Sequence, residues 1–137
     1  MMFFGVLGSL ETWRGDSRLD LGAPRNRAVL ARLLIARGTV VPVDRLIEDL
    51  WEGAAPPQAL SSLRTFVCQL RRVLESRPSG RTAPRVLVTE PGGYVLHAGD
   101  GEVDSGRFER SFRLAGSASD PRVALALLEE ALRLWRG

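Results

Sequence analysis

A chain of 137 residues has room for one hydrophobic core and a modest appendage. Its hydrophobic fraction of 45% and charged fraction of 26% are those of a folded globular protein and exclude global disorder. The net charge is only +3 but unevenly spread: between Pro56 and Arg85 six arginines (64, 71, 72, 77, 81 and 85) accompany one acid, Glu75, a local balance of +5, whereas residues 99–137 balance at −1. Such a localised positive field suits a polyanionic partner.

The chain opens with strand-like alternation at Phe4, Val6, Leu10 and Thr12, and Arg14-Gly15-Asp16-Ser17 supplies turn chemistry before Arg18-Leu19-Asp20-Leu21. A small N-terminal antiparallel sheet is predicted. The apolar start lacks a basic n-region and is interrupted by Gly5 and Gly8, so it does not read as a signal peptide. The Arg-Gly-Asp tripeptide is therefore a hairpin turn rather than an adhesion motif. No run approaches about 18 continuous apolar residues, and the predicted location is the cytoplasm.

Pro24 suits the first position of a helix, and the apolar run Ala28, Val29, Leu30, Leu33, Leu34, Ile35 ends at Gly38, a natural stop. Arg25, Arg27 and Arg32 fall on its outer side. Thr39-Val40-Val41 reads as an extended connection. A second helix runs from Val43 to Trp51, with Leu46, Ile47, Leu50 and Trp51 turned inward and Asp44 favourably placed for the helix dipole. Glu52-Gly53-Ala54-Ala55-Pro56-Pro57 breaks the helix, and this loop is longer than the turn of about 3–4 residues in a tight helix-turn-helix.

From Gln58 to Leu74 the apolar residues Leu60, Leu63, Val67, Leu70 and Leu74 recur at helical spacing and define a stripe facing a core. At about 100° per residue the opposite side holds Gln58, Ser61, Thr65, Cys68, Gln69 and Arg72, with Arg64 and Arg71 on its shoulder. After a polar loop, Arg85-Val86-Leu87-Val88-Thr89 and Tyr94-Val95-Leu96 form strands around Glu90-Pro91-Gly92-Gly93, where the glycines permit positive φ. Three helices followed by a hairpin give an α+β winged helix, and the outer face of the third helix is shaped to lie in a major groove.

Residues 98–104 read as a polar linker. Beyond it, one helix passes through Phe108 and Phe112. Asp120-Pro121 then opens another carrying Val123, Ala124, Leu127, Leu128, Ala131, Leu134 and Trp135. An αα-hairpin apolar on one side cannot complete a core alone. Core packing is the better reading than base stacking for Phe66, Phe108, Phe112, Trp51 and Trp135. The single cysteine, Cys68, excludes an internal disulfide, and with one histidine, His97, no metal cluster is spaced along the chain. No catalytic constellation, cofactor motif or metal site is expected.

Several ordered motifs together carry a resemblance: Gly5-Val6-Leu7-Gly8-Ser9-Leu10, Pro24-Arg25-Asn26-Arg27-Ala28, Val43 to Trp51, Ser61 to Leu74, Pro91-Gly92-Gly93-Tyr94-Val95-Leu96 and Ala131 to Gly137. In these the chain resembles the Streptomyces antibiotic regulatory protein (SARP) family over nearly its whole length. The resemblance implies an OmpR-type winged-helix DNA-binding domain at residues 1–98. Residues 99–137 would then be the first helix pair of a bacterial transcriptional activation domain, tetratricopeptide-like in form, in a longer protein.

It further implies an activator of secondary-metabolite (antibiotic) biosynthetic genes that binds direct repeats near promoters in double-stranded DNA, as a homodimer there, and recruits RNA polymerase holoenzyme. Such a protein would be cytoplasmic and nucleoid-associated, without a membrane or cofactor. Carried over, the DNA-contacting residues are Gln58, Ser61, Ser62, Arg64, Thr65, Cys68, Gln69, Arg71 and Arg72 of the third helix and Arg85, Thr89, Gly92, Gly93 and Tyr94 of the wing. The polymerase-facing loop is Glu52, Gly53, Ala54, Ala55, Pro56 and Pro57. The chain departs from the family at Cys68 and Gln69, where serine and arginine are common, and at the wing tip, which lacks an arginine. Thr65, Gln69 and Arg72 are then the candidates for base edges, with glutamine suited to adenine and arginine to guanine, and Arg64 and Arg71 for phosphates. The alternative is a protein-interaction module that uses the C-terminal helices, with the winged helix as scaffold.

Overall fold

A computed structural model describes residues 2–75 and 83–136. The chain forms two compact units, Asp20–Ala98, and Met1–Leu19 together with Gly99–Gly137. Sequence alone places the N-terminal strands with the winged helix; in the structure they share a unit with the C-terminal helices. Arg77 and Arg81 lie outside the described residues.

Asp20–Ala98 is built on three helices and a sheet. α1 (Pro24–Ile35) begins on its proline and buries Val29, Leu30, Leu33 and Leu34, and it ends before two left-handed residues, Arg37 and Gly38. Ala28 and Ile35, the two ends of the apolar run, are exposed. β4 (Val41–Pro42) leads directly into α2 (Val43–Trp51), which closes at Glu52 and Gly53, both with positive φ. The bounds of α2 are those the sequence predicts.

α3 (Ala59–Leu74) buries Ala59, Leu63, Val67, Leu70 and Leu74 at spacings of four, four, three and four. Leu60 is a correction, being 41% exposed, because Ala59 one position earlier continues the stripe. Each of the four larger side chains contributes about 1.5–3 kcal/mol by burial, and truncating Leu70 to alanine would cost about 2–5 kcal/mol.

β5 (Leu87–Glu90) and β6 (Gly93–Leu96) pair antiparallel through Leu87↔Leu96 and Glu90↔Gly93 across Pro91-Gly92, with Gly92 at φ 81°. Val41, read as the end of an extended connection, instead begins β4, which pairs with β6 through Val41↔Tyr94 and Pro42↔Gly93, so the sheet order is β4-β6-β5. The wing is thus anchored along β6 and is not a free hairpin. A Cβ at Gly93 would run into the carbonyl oxygen of Val41, so this glycine permits the close approach of β4.

The other unit holds β1 (Met2–Gly5), β2 (Glu11–Arg14) and β3 (Ser17–Arg18) in sequential antiparallel order, with Gly15 in the left-handed region at the second turn. Phe4 is buried and bridges Val103. A 3-10 turn (Asp100–Glu102) precedes α4 (Asp104–Ser117), and α5 (Pro121–Arg133) starts on Asp120, whose carboxylate accepts from Arg122 N–H at 2.9 Å. Asp104, read as part of a linker, is 1% exposed: its carboxylate accepts from the N–H groups of Val6 at 2.8 Å and Leu7 at 2.9 Å. Phe112 and Trp135, expected in a core, are each 60% exposed. They join Leu114, Val123, Leu125, Leu128 and Leu132 as apolar surface on the helix pair.

Candidate nucleic-acid interface

The burial of α3 along one stripe turns Ser61, Arg64, Thr65, Cys68, Gln69 and Arg72 to solvent, with Ser62 half-buried at the margin and Gln58 exposed just before the first turn. The Ser61 hydroxyl donates to the Gln58 carbonyl at 3.0 Å and the Thr65 hydroxyl to the Ser61 carbonyl at 3.1 Å, so both retain acceptor lone pairs on the outer face. Cys68 is an exposed thiol. Arg64 and Arg72 are exposed. Neither makes a hydrogen bond or ion pair among the described residues, which leaves two full cations beside this row.

Arg71 has a different place from the one the sequence assigns it. Its Nε donates to the Leu87 carbonyl at 2.9 Å, its Nη2 donates to the Thr89 hydroxyl at 2.6 Å, and its guanidinium lies 5.9 Å from the centre of the Tyr94 ring. These contacts tie α3 to the wing. Glu75, counted in the sequence only as a lone acid, does the same from the end of α3. One carboxylate oxygen accepts from Val86 N–H at 2.8 Å and Leu87 N–H at 3.1 Å, and the other from Arg85 N–H at 3.0 Å. Two charged side chains thereby fix the wing to the helix.

On the wing, Arg85, Thr89 and Gly92 are exposed, whereas Gly93 and Tyr94 are buried. Gly93 is filled by the approach of β4, and Tyr94 lies under Arg71; both are corrected from contact residues to supports of the sheet. Residues 52–57 form an exposed loop, apart from half-buried Pro56, closed by Ala54 N–H to Trp51 O at 2.9 Å and Ala59 N–H to Pro56 O at 3.0 Å. The arginines of α1 are also less available than predicted. Arg32 pairs with Asp49 at 2.8 Å and Arg25 stacks 5.2 Å from the Trp51 ring centre, itself packed with Phe66.

Asn26, to which the sequence reading gives no role, is a buried neighbour of this row. It is 2% exposed, and its Nδ2 donates to the Leu21 carbonyl at 3.3 Å and to Gln69 Oε1 at 2.9 Å. The signal was present: Asn26 stands at i relative to Val29, Leu30 and Leu33, a polar residue on the buried stripe of α1.

A three-helix domain whose third helix offers an exposed polar row with unpaired arginines, backed by a sheet-anchored hairpin, is a DNA-binding winged helix. Residues 17–96 match the family described as "Transcriptional regulatory protein, C terminal", and the chain belongs to it. Its relatives bear out the SARP resemblance, and this is a family of transcriptional regulators, not enzymes. The transcriptional regulatory protein MoaR1 of Mycobacterium tuberculosis is 39% identical over 98% of this chain and 44% of its own length. The regulatory protein AfsR of Streptomyces coelicolor is 39% identical over 98% of this chain and 13% of its own length. Among solved structures, Mycobacterium tuberculosis EmbR in complex with a low-affinity phosphopeptide superposes with a TM-score of 0.90 at 37% identity, over 99% of this chain and 36% of that one. The chain thus spans less than half the length of these relatives. No helix among the described residues is long and apolar enough to cross a membrane.

Proposed function

We propose that this chain is the DNA-reading part of a transcriptional activator of biosynthetic genes, with α3 in the major groove of double-stranded DNA. The observation that carries the reading is the outer row of α3, where Thr65, Gln69 and Arg72 offer hydrogen-bonding groups flanked by the unpaired cation of Arg64. Arg72 matches the acceptors of guanine, and Arg64 and Arg85 match phosphates. Thr89 and Gly92 of the wing lie on the neighbouring backbone. The exposed 52–57 loop meets RNA polymerase, and two copies bind a direct repeat near the promoter, in the cytoplasm.

The test is fluorescence anisotropy with duplexes selected from random DNA, against scrambled duplexes, over a range of salt. The expected result is a selected sequence bound at least about 10³-fold more tightly than scrambled DNA, with binding that weakens steeply as salt rises. Arg72→Ala relaxes sequence preference at one position, and Arg64→Ala weakens all DNA alike and reduces the salt slope by about one. Equal, salt-independent binding to every duplex, unchanged in both variants, refutes the reading. The exposed apolar residues of α4 and α5 favour a second role for that helix pair as a protein-contact surface. If it were the sole function, DNA binding would be absent.

A further inference from the structure

We propose that Asn26, buried in α1, sets the hydrogen-bonding sense of Gln69, so that Gln69 meets DNA as a donor and selects guanine over adenine. The inference rests on the reading above that α3 enters the major groove. It revises the pairing of glutamine with adenine, which uses the amide oxygen and nitrogen together.

The direction of the Asn26 amide is fixed by its surroundings. The Leu21 carbonyl can only accept, so the amide must present its nitrogen there, and the second proton of that nitrogen is then met by Gln69 Oε1. Reversing the amide would set its oxygen against the Leu21 carbonyl oxygen. It would also place the nitrogen where Oδ1 now sits, buried and without a partner among the described residues. The Leu21 carbonyl is itself held by a turn in which Gly22 N–H donates to Asp20 Oδ1 at 2.9 Å. Gly22 has φ +84°, and a Cβ on it would stand 2.8 Å from Asn26 Nδ2. The buried amide is caged on both sides.

Gln69 therefore turns its acceptor toward α1, and its Nε2, a donor, is the end offered outward. Guanine presents two major-groove acceptors, O6 and N7, whereas adenine presents one acceptor beside a donor and cytosine presents a donor. A glutamine with its oxygen withdrawn favours guanine, tolerates thymine through O4, and loses its paired contact with adenine. This mechanism puts a specificity determinant at a position that never touches DNA.

The experiment takes the 137-residue chain and selects duplexes from random DNA, and the base pair read by Gln69 is identified as the one whose preference disappears in Gln69→Ala. Labelled duplexes differing only at that pair are then compared. The wild type is expected to prefer guanine over adenine by about fivefold, the low end of discrimination by a base contact. Asn26→Leu, which releases the Gln69 oxygen, should bring that ratio to about one or reverse it with the salt slope unchanged. Gln69→Glu, an exposed change that keeps an acceptor for Asn26, should move the preference to cytosine. Should Asn26→Leu fail to fold by circular dichroism, the wild-type ratio decides: guanine preference at the pair read by Gln69 supports the inference and adenine preference overturns it. Adenine preference in the wild type, an unaltered ratio in folded Asn26→Leu, or no position silenced by Gln69→Ala overturns it while leaving salt-dependent DNA binding intact. Absence of any salt-dependent DNA binding removes the proposed function itself.

Discussion

Removing the Arg71 guanidinium separates a structural arginine from a DNA-gripping one. In Arg71→Ala the Leu87 carbonyl loses a charged donor at 2.9 Å, Thr89 loses one at 2.6 Å, and Tyr94 loses the cation lying 5.9 Å from its ring centre. A hydrogen bond from a charged group contributes about 1.5–3 kcal/mol. The bond to Thr89 is exposed and is discounted to about 0.5 kcal/mol, and a cation–π contact near the distance limit adds about 0.5 kcal/mol. The sum is about 2–3 kcal/mol after the half-buried setting is allowed for. Urea unfolding followed by circular dichroism should show that loss for Arg71→Ala, while the unpaired Arg64→Ala stays within about 0.5 kcal/mol of wild type. Salt titrations of DNA binding should show the reverse, with the slope reduced by about one for Arg64→Ala and unchanged for Arg71→Ala. An Arg71→Ala protein as stable as wild type but with a reduced salt slope would refute the assignment and return Arg71 to the phosphates.

Glu75→Ala leaves the N–H groups of Arg85, Val86 and Leu87 without their carboxylate. It should cost about 2 kcal/mol in the same melts, with Glu75→Gln roughly halfway; a silent Glu75→Ala would show the wing to be held by other contacts. In the other unit, Asp104→Ala strands the N–H groups of Val6 and Leu7 and should cost about 3 kcal/mol, read as a lowered urea midpoint. The Glu11 carboxyl is held below its ordinary value of 4.5 by a hydrogen bond from the Trp13 indole and then by the nearby Arg136 and Arg18 guanidiniums. Because its folded pKa is depressed, the stabilisation is complete above about pH 4.5 and is lost as pH falls below it. Glu11→Gln should flatten the decline of stability in that acid window, and identical acid profiles would argue against the contribution.

What could be read from residue order was whatever depends on period and punctuation. α2 has its predicted bounds because Pro42 and Glu52-Gly53 punctuate a clear apolar pattern, and the stripe through Leu63, Val67, Leu70 and Leu74 is the one the 3.6-residue repeat demands. The misreadings come from contacts between residues far apart in sequence. β4 is two residues long and exists because β6 lies beside it, and Gly93 is required by the Val41 backbone rather than by a turn. Arg71, Glu75 and Asp104 look like surface charges until backbone N–H and C=O groups from distant strands arrive at their side chains. Hydrophobicity alone puts Phe112 and Trp135 in a core, but the positions buried on the helix pair, apart from Asp104, are the small residues Ser111, Ala115 and Ala131.

Folding turns only part of the basic cluster outward. Of the four arginines described between Pro56 and Arg85, Arg71 is committed to the wing, and Arg64, Arg72 and Arg85 remain outward. If each of these three neutralised one phosphate, they alone would contribute about −2.7 to the salt slope. Pairing two copies on a direct repeat doubles the charge term and makes the second binding event effectively intramolecular if the copies touch. Sparse cations also shift discrimination onto uncharged groups: with Cys68 and Gln69 in the middle of the α3 face, hydrogen-bond sense rather than charge decides which base is accepted. That is the quantity which Asn26 controls from inside the domain.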